Sequence, residues 1–258
     1  MNRIPQDVVA YQPVIKEIWD SFSPKLQEFW IETQSTLKNA VIIPAELSVN
    51  SNVYANVTFK ALEAEAKELY QHDYLIKIGV NLHDAEEYDI AHELAHIYSW
   101  SKENYCCIYQ EHISMDYKKS ELVAMIFNTA IHSVVDNITI KKGFPLEGFF
   151  ERKKDECISG ILSMSNSDQN DYYRILNMII DSKHRLPTEV YDELLDYVAK
   201  FEFKQMISLA ETLPLYNFNN LDSNSIKEAF SQTCAMIEID YEKLGIKLYN
   251  AQEMPLLK

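Results

Sequence analysis

The chain has 258 residues, 47% hydrophobic and 24% charged, a balance that suits a soluble globular fold with a sizeable core and excludes a disordered or fibrous one. A formal charge of −15 sets up a field that repels nucleic-acid phosphates and anionic lipid, so neither nucleic acid nor membrane is an expected partner. The four cysteines (Cys106, Cys107, Cys157, Cys234) form neither a CxxC pair nor a disulfide framework, and the first residues lack the apolar stretch of a signal peptide. No run approaches the ~18 apolar residues of a membrane span, and cytoplasmic residence is the expectation.

In chain order, apolar side chains at helical spacing between residues 8 and 38 (among them Val8, Val9, Tyr11, Ile18, Phe22, Leu26 and Trp30) predict two helices, with Pro13 and Ser23-Pro24 as boundaries. Three stretches rich in β-branched and aromatic residues, 40–43, 53–59 and 74–82, are predicted strands. Between the last two, residues 61–69 are strong helix formers. A polar link from His83 to Glu87 leads into a helical period through Ile90, Leu94 and Ile97. After a polar stretch that includes Cys106 and Cys107, a long periodic segment from about Ser120 to Lys142 predicts a second major helix, with Gly143 placed to end it. Beyond Phe144 the pattern is helical throughout, at 172–182, 187–203, 203–213 and 225–244, with polar loops at 164–171 and 217–224. The fold class that follows is α+β and mostly helical. A core over residues 1–150 carries a small sheet packed on the helix of residues 90–97, and an all-helical part over 151–258 packs on that core.

The chemistry concentrates in His92-Glu93-Leu94-Ala95-His96. Residues four apart project from one face of a helix, so His92 and His96 can offer imidazole nitrogens to one metal ion. Glu93 stands where a carboxylate reaches a water activated by that ion without binding the ion itself, and so is the expected general base. The chain has only seven histidines, which makes the pattern improbable by chance.

Preceded by a strand, Ala91-His-Glu-Leu-Ala-His-Ile97 resembles the active-site helix of the zincin metallopeptidases, over residues 74 to 144. In layout it is most similar to the cytoplasmic peptidases of the ImmA/IrrE type, in which a short sheet precedes the motif helix and a second helix supplies the third ligand. No Gly-x-x-His follows His96, which sets the metzincin arrangement aside. The resemblance implies a Zn²⁺ cofactor, a protein or peptide substrate and a peptide bond hydrolysed with Glu93 as base. The alternative from another class is a zincin-fold module that binds metal and regulates or recognises a partner without turnover. A third is hydrolysis of a small amide.

A catalytic zinc takes three protein ligands and keeps one position open. On the second helix His132 and Asp136 are again four apart. The gluzincin pattern implies His132 as ligand and Asp136 as the carboxylate that orients a motif histidine, but the reverse assignment is chemically sound too. Glu121 is a third candidate, because Glu121-Leu-Val-Ala-Met-Ile-Phe127 echoes the Glu-x-x-Ala-x-x-Phe of ImmA-like peptidases. His72, His83, His112 and His184 lack partners at ligand spacing and are expected at the surface or as caps. Tyr98, Tyr105, Tyr109 and Tyr117 follow the motif, where zincins use a Tyr or His to stabilise an oxyanion. The strand at 74–82 is a candidate to pair with an extended substrate by β-addition.

Overall fold

The computed structural model describes residues 13–47, 55–81, 83–110, 116–145, 152, 154–155, 157–160, 169–200, 204–219 and 221–253. Val8, Val9, Tyr11, Val53, Tyr54, Leu82, His112 and most of the 164–171 loop lie outside them.

Mixed α and β structure dominated by helix is what the chain adopts. Two helices, α1 (Pro13–Ser21) and α2 (Pro24–Ser35), start at the two prolines, where a fixed φ and a missing N–H cost a helix nothing. Ser23 caps α2 by accepting from the Leu26 N–H, and its own N–H and Oγ both donate to Glu87, at 2.6 and 2.8 Å. The three predicted strands form: β1 (Ala40–Glu46), β2 (Ala55–Ala61) and β3 (Tyr74–Val80), with α3 (Ala64–Tyr70) between the last two. Their order is β1-β3-β2, with β3 parallel to β1 and antiparallel to β2. The strand expected to accept a substrate peptide is therefore central, and its backbone groups are already paired on both sides.

One sheet face, carrying Val41, Ile43 and Leu75, packs with Leu62 and with Ala66 and Tyr70 of α3. On the opposite face, the cross-strand row Ile42, Ile76 and Phe59 includes Phe59, whose ring meets Trp100 of α4 (Glu87–Ser101) at 6.3 Å. Helix α4 carries the His-Glu-x-x-His motif and packs against β2 and β3. A capping box starts it: the Glu86 N–H donates to Asp89 Oδ2 at 2.8 Å, while the Glu86 carboxylate takes the backbone N–H of Asp89. Ala91, Leu94, Ala95 and Ile97 are fully buried on it.

Helix α5 (Tyr117–Lys141) begins three residues before the expected start and ends as expected. Gly143, at φ +85°, donates to the Ile140 carbonyl and Phe144 to that of Thr139, the paired closure that favours glycine at this position. By length and composition α5 is apolar enough to cross a membrane, but most of it is buried inside the protein, as in a core helix.

Contacts group the described residues into two compact units, one of residues 13–105, 135–145 and 250–253, the other of 106–134 and 152–249; α5 contributes to both. The second unit also holds α6 (Gln169–Arg185), α7 (Thr188–Lys200), α8 (Lys204–Thr212) and α9 (Ser223–Met236). Two short strands were not expected. β4 (Cys107–Gln110) pairs antiparallel with β5 (Ile246–Tyr249), so the C-terminal part is not helical throughout. The last helix stops at Met236 and not near Leu244, because Glu238 turns left-handed (φ +59°) and closes the end through Glu238 N–H to Ala235 O and Ile239 N–H to Cys234 O.

Within the first unit, Glu32 ties α2 to α4 and to the end of α5: Tyr98 Oη donates to it at 2.7 Å and Lys142 Nζ at 2.5 Å. Burial works to raise the Glu32 pKa, but these two hydrogen bonds and the Lys142 charge outweigh it and hold the carboxyl below the ordinary glutamate value. A depressed acid stabilises the fold above its unfolded pKa, about 4.3, and that contribution is lost as pH falls through the lower folded value. Glu32→Gln is expected to melt below wild type at pH 7, with the gap narrowing between pH 4 and pH 2; thermal melts across that range are the check.

Candidate metal centre

Helix α4 presents His92 and His96 from one face, their ring centroids 4.9 Å apart and their planes nearly perpendicular. His92 is buried, and its Nδ1 faces Asp136 Oδ1 at 3.3 Å. Asp136, on α5, is also buried, and its Oδ1 accepts from the hydroxyl of Tyr88 at 3.0 Å. One turn before Asp136 on the same helix stands His132, half-buried. His92, His96 and His132 each offer one ring nitrogen, and these atoms lie within 4.8 Å of one another, close enough to hold a metal ion.

His132 also has a carboxylate behind it, and a closer one than the Asp136 oxygen 3.3 Å from His92. Its Nδ1 lies 2.7 Å from Oδ1 of Asp181, a residue of α6 that is 4% exposed. Arg185, one turn further along α6, brings Nη1 to 3.2 Å from that nitrogen and 3.8 Å from Asp181 Oδ2. A carboxylate oxygen thus stands near Nδ1 of both His92 and His132, as is common behind histidines that bind a metal through the other ring nitrogen. Glu93, half-buried, follows His92 directly on α4. The donor set, three imidazoles with carboxylates beside two of them, suits a borderline divalent ion.

Of the third-ligand candidates, the cluster includes His132, and Asp136 sits at the far nitrogen of His92. Glu121 lies elsewhere, largely exposed and paired with Arg174 at 2.7 Å. His72 contacts the nearby Tyr70 carbonyl at 2.5 Å and His83 is exposed, as expected, whereas His184 is half-buried and reaches the distant Leu215 carbonyl at 2.6 Å, a tertiary contact and not a surface or capping role. Tyr98 is engaged with Glu32 and Lys142, and Tyr109 stacks edge-on with Tyr249 at 6.4 Å. Burial pushes the thiols of Cys106 and Cys107 up, which makes them packing groups and poor nucleophiles.

Three contributors escaped the sequence. Tyr88 lies four residues before His92 and reads as an apolar helix contact. Asp181 and Arg185 lie 49 and 53 residues from His132 in the chain. An acid among Ile179, Ile180 and Ser182, all buried, was the available signal, since a buried carboxylate requires a partner. No family model, curated protein or solved structure matches the chain, so its likeness to zincins rests on the motif and its setting.

This geometry orders two substitutions. Asp136→Asn removes an orienting partner and is expected to weaken divalent-metal binding by about 10- to 100-fold. His132→Ala removes one imidazole of the cluster and is expected to weaken it further. Titration of the metal-free proteins against a competing chelator measures both, and the opposite order would make Asp136 the ligand.

Proposed function

We propose that the chain is a zinc-dependent peptidase, with His92, His96 and His132 as metal ligands and Glu93 as general base. The observation that carries this reading is the gathering of a third imidazole, from a separate helix, beside the two of the motif. Zinc held there would supply Lewis acidity toward a water and toward the substrate carbonyl.

The protein's own groups have defined parts. Asp136 stands 3.3 Å from Nδ1 of the His92 ring and is itself held by the Tyr88 hydroxyl, so a carboxylate is in place to orient that ring. The Glu93 carboxylate takes the proton of the attacking water and returns it to the leaving amine nitrogen. Because both flanks of β3 are occupied, an extended substrate would add at the outer side of β2, the edge strand that packs against the motif helix.

Glu93→Gln keeps the shape and removes the base. It is expected to retain bound zinc, read by elemental analysis, and to lower peptide cleavage by about 10²–10⁴-fold. Cellular proteins that persist with the variant and disappear with wild type would identify substrates. Zinc bound by both proteins with cleavage by neither would replace the enzyme with a metal-binding module.

A further inference from the structure

Helix α6 contributes to the second unit a buried polar face that the motif does not account for. Asn177, Asp181 and Arg185 recur at four-residue intervals, 8, 4 and 8% exposed, along a helix whose buried residues include Ile175, Leu176, Ile179 and Ile180. Opposite them on α5, Thr129 Oγ1 donates to Asn177 Oδ1 at 3.0 Å, and His132 meets Asp181 one turn on. Polar groups are costly to bury in a helix interface, and apolar residues would pack it as well. A requirement other than packing accounts for this face.

Two groups of opposite charge converge on Nδ1 of His132. The Asp181 oxygen at 2.7 Å is at the distance of a charge-assisted hydrogen bond, which makes Nδ1–H the donor. A guanidinium does not give up its proton, so Arg185 at 3.2 Å adds no acceptor there; its charge offsets that of the buried carboxylate one turn away. A proton fixed on Nδ1 leaves the lone pair on Nε2. Without Asp181 the ring can adopt either tautomer and rotate about χ2, and both freedoms must be lost before a metal binds.

We propose that Asp181, charge-compensated by Arg185, is a positioning residue for the third metal ligand, setting the tautomer and ring orientation of His132. The inference rests on the metal-centre reading above and extends the site to α6. The effect of Asp181 on metal affinity runs through His132, and that dependence separates this role from the stability that its pairing with Arg185 contributes.

The test is a double-mutant cycle on the full chain, with zinc affinity measured by chelator competition and the visible spectrum of the cobalt(II)-substituted protein as the second readout. Asp181→Asn is expected to weaken zinc binding by about 10- to 100-fold and to change the cobalt bands, while Asp181→Glu recovers part of the loss. In a His132→Ala background Asp181→Asn is expected to cause no further loss. Equal losses in both backgrounds, or unchanged affinity and spectrum, overturn the proposal. If Asp181→Asn does not fold, Arg185→Gln carries the cycle, with a smaller loss in the same direction and the same dependence on His132. Failure of the wild-type chain to bind zinc overturns the metal-centre reading, and a wild-type chain that binds zinc as tightly as Asp181→Asn overturns this inference alone.

Discussion

An imidazole carries two ring nitrogens, and a buried ring finds no water for either, so the protein must supply a partner to each. At His92 and His132 one nitrogen meets a carboxylate, Asp136 and Asp181 respectively. That pairing constrains the orientation of each ring. It ties the motif helix α4 to α5 through one carboxylate, and α5 to α6 through the other. Three imidazoles with a carboxylate beside two of them form a donor set that a divalent cation would complete, and hydrocarbon contacts alone would not create it.

The elements around the motif serve its placement. Glu87, in the first turn of α4, receives both donors of Ser23 at the start of α2, and the far end of the same helix is held by Tyr98 through Glu32. Lys142, just past the end of α5, lies over the rings of Phe29 and Tyr98 while its ammonium meets Glu32. The two helices that carry His92 and Asp136 are thus fastened at places remote from the cluster. The sheet below adds a flat apolar support in the row of Ile42, Ile76 and Phe59.

Legibility from sequence followed range along the chain. Helix boundaries at Pro13, Pro24 and Gly143 were readable because their signals are local and each depends on a special residue. The end of α9 was not, since its left-handed residue is Glu238, a type that carries no such signal. The pair β4 and β5 was missed because four-residue strands show too little alternation, and their partners lie more than a hundred residues apart. At the site, four-residue spacing exposed the motif and the His132–Asp136 pair, but spacing within one helix says nothing about which far segment reaches the second nitrogen of a ring. Asp181 needed the three-dimensional arrangement. The strand at 74–80 was recognised as a strand, but its place in the middle of the sheet, which decides whether a peptide can add to it, is a property of strand order.

The polar ladder between α5 and α6 also constrains how homologous chains can drift. Thr129 and Asn177 form one rung, His132 with Asp181 the next, and Arg185 closes the series. Replacing any one member with a hydrocarbon strands its opposite number in a dry interface, whereas exchanging a whole rung for two apolar residues restores a packed seam. Divergence at these positions is thereby channelled into paired changes. Residues 132, 181 and 185 are in that sense a linked set, each change at one of them favouring a change at the others.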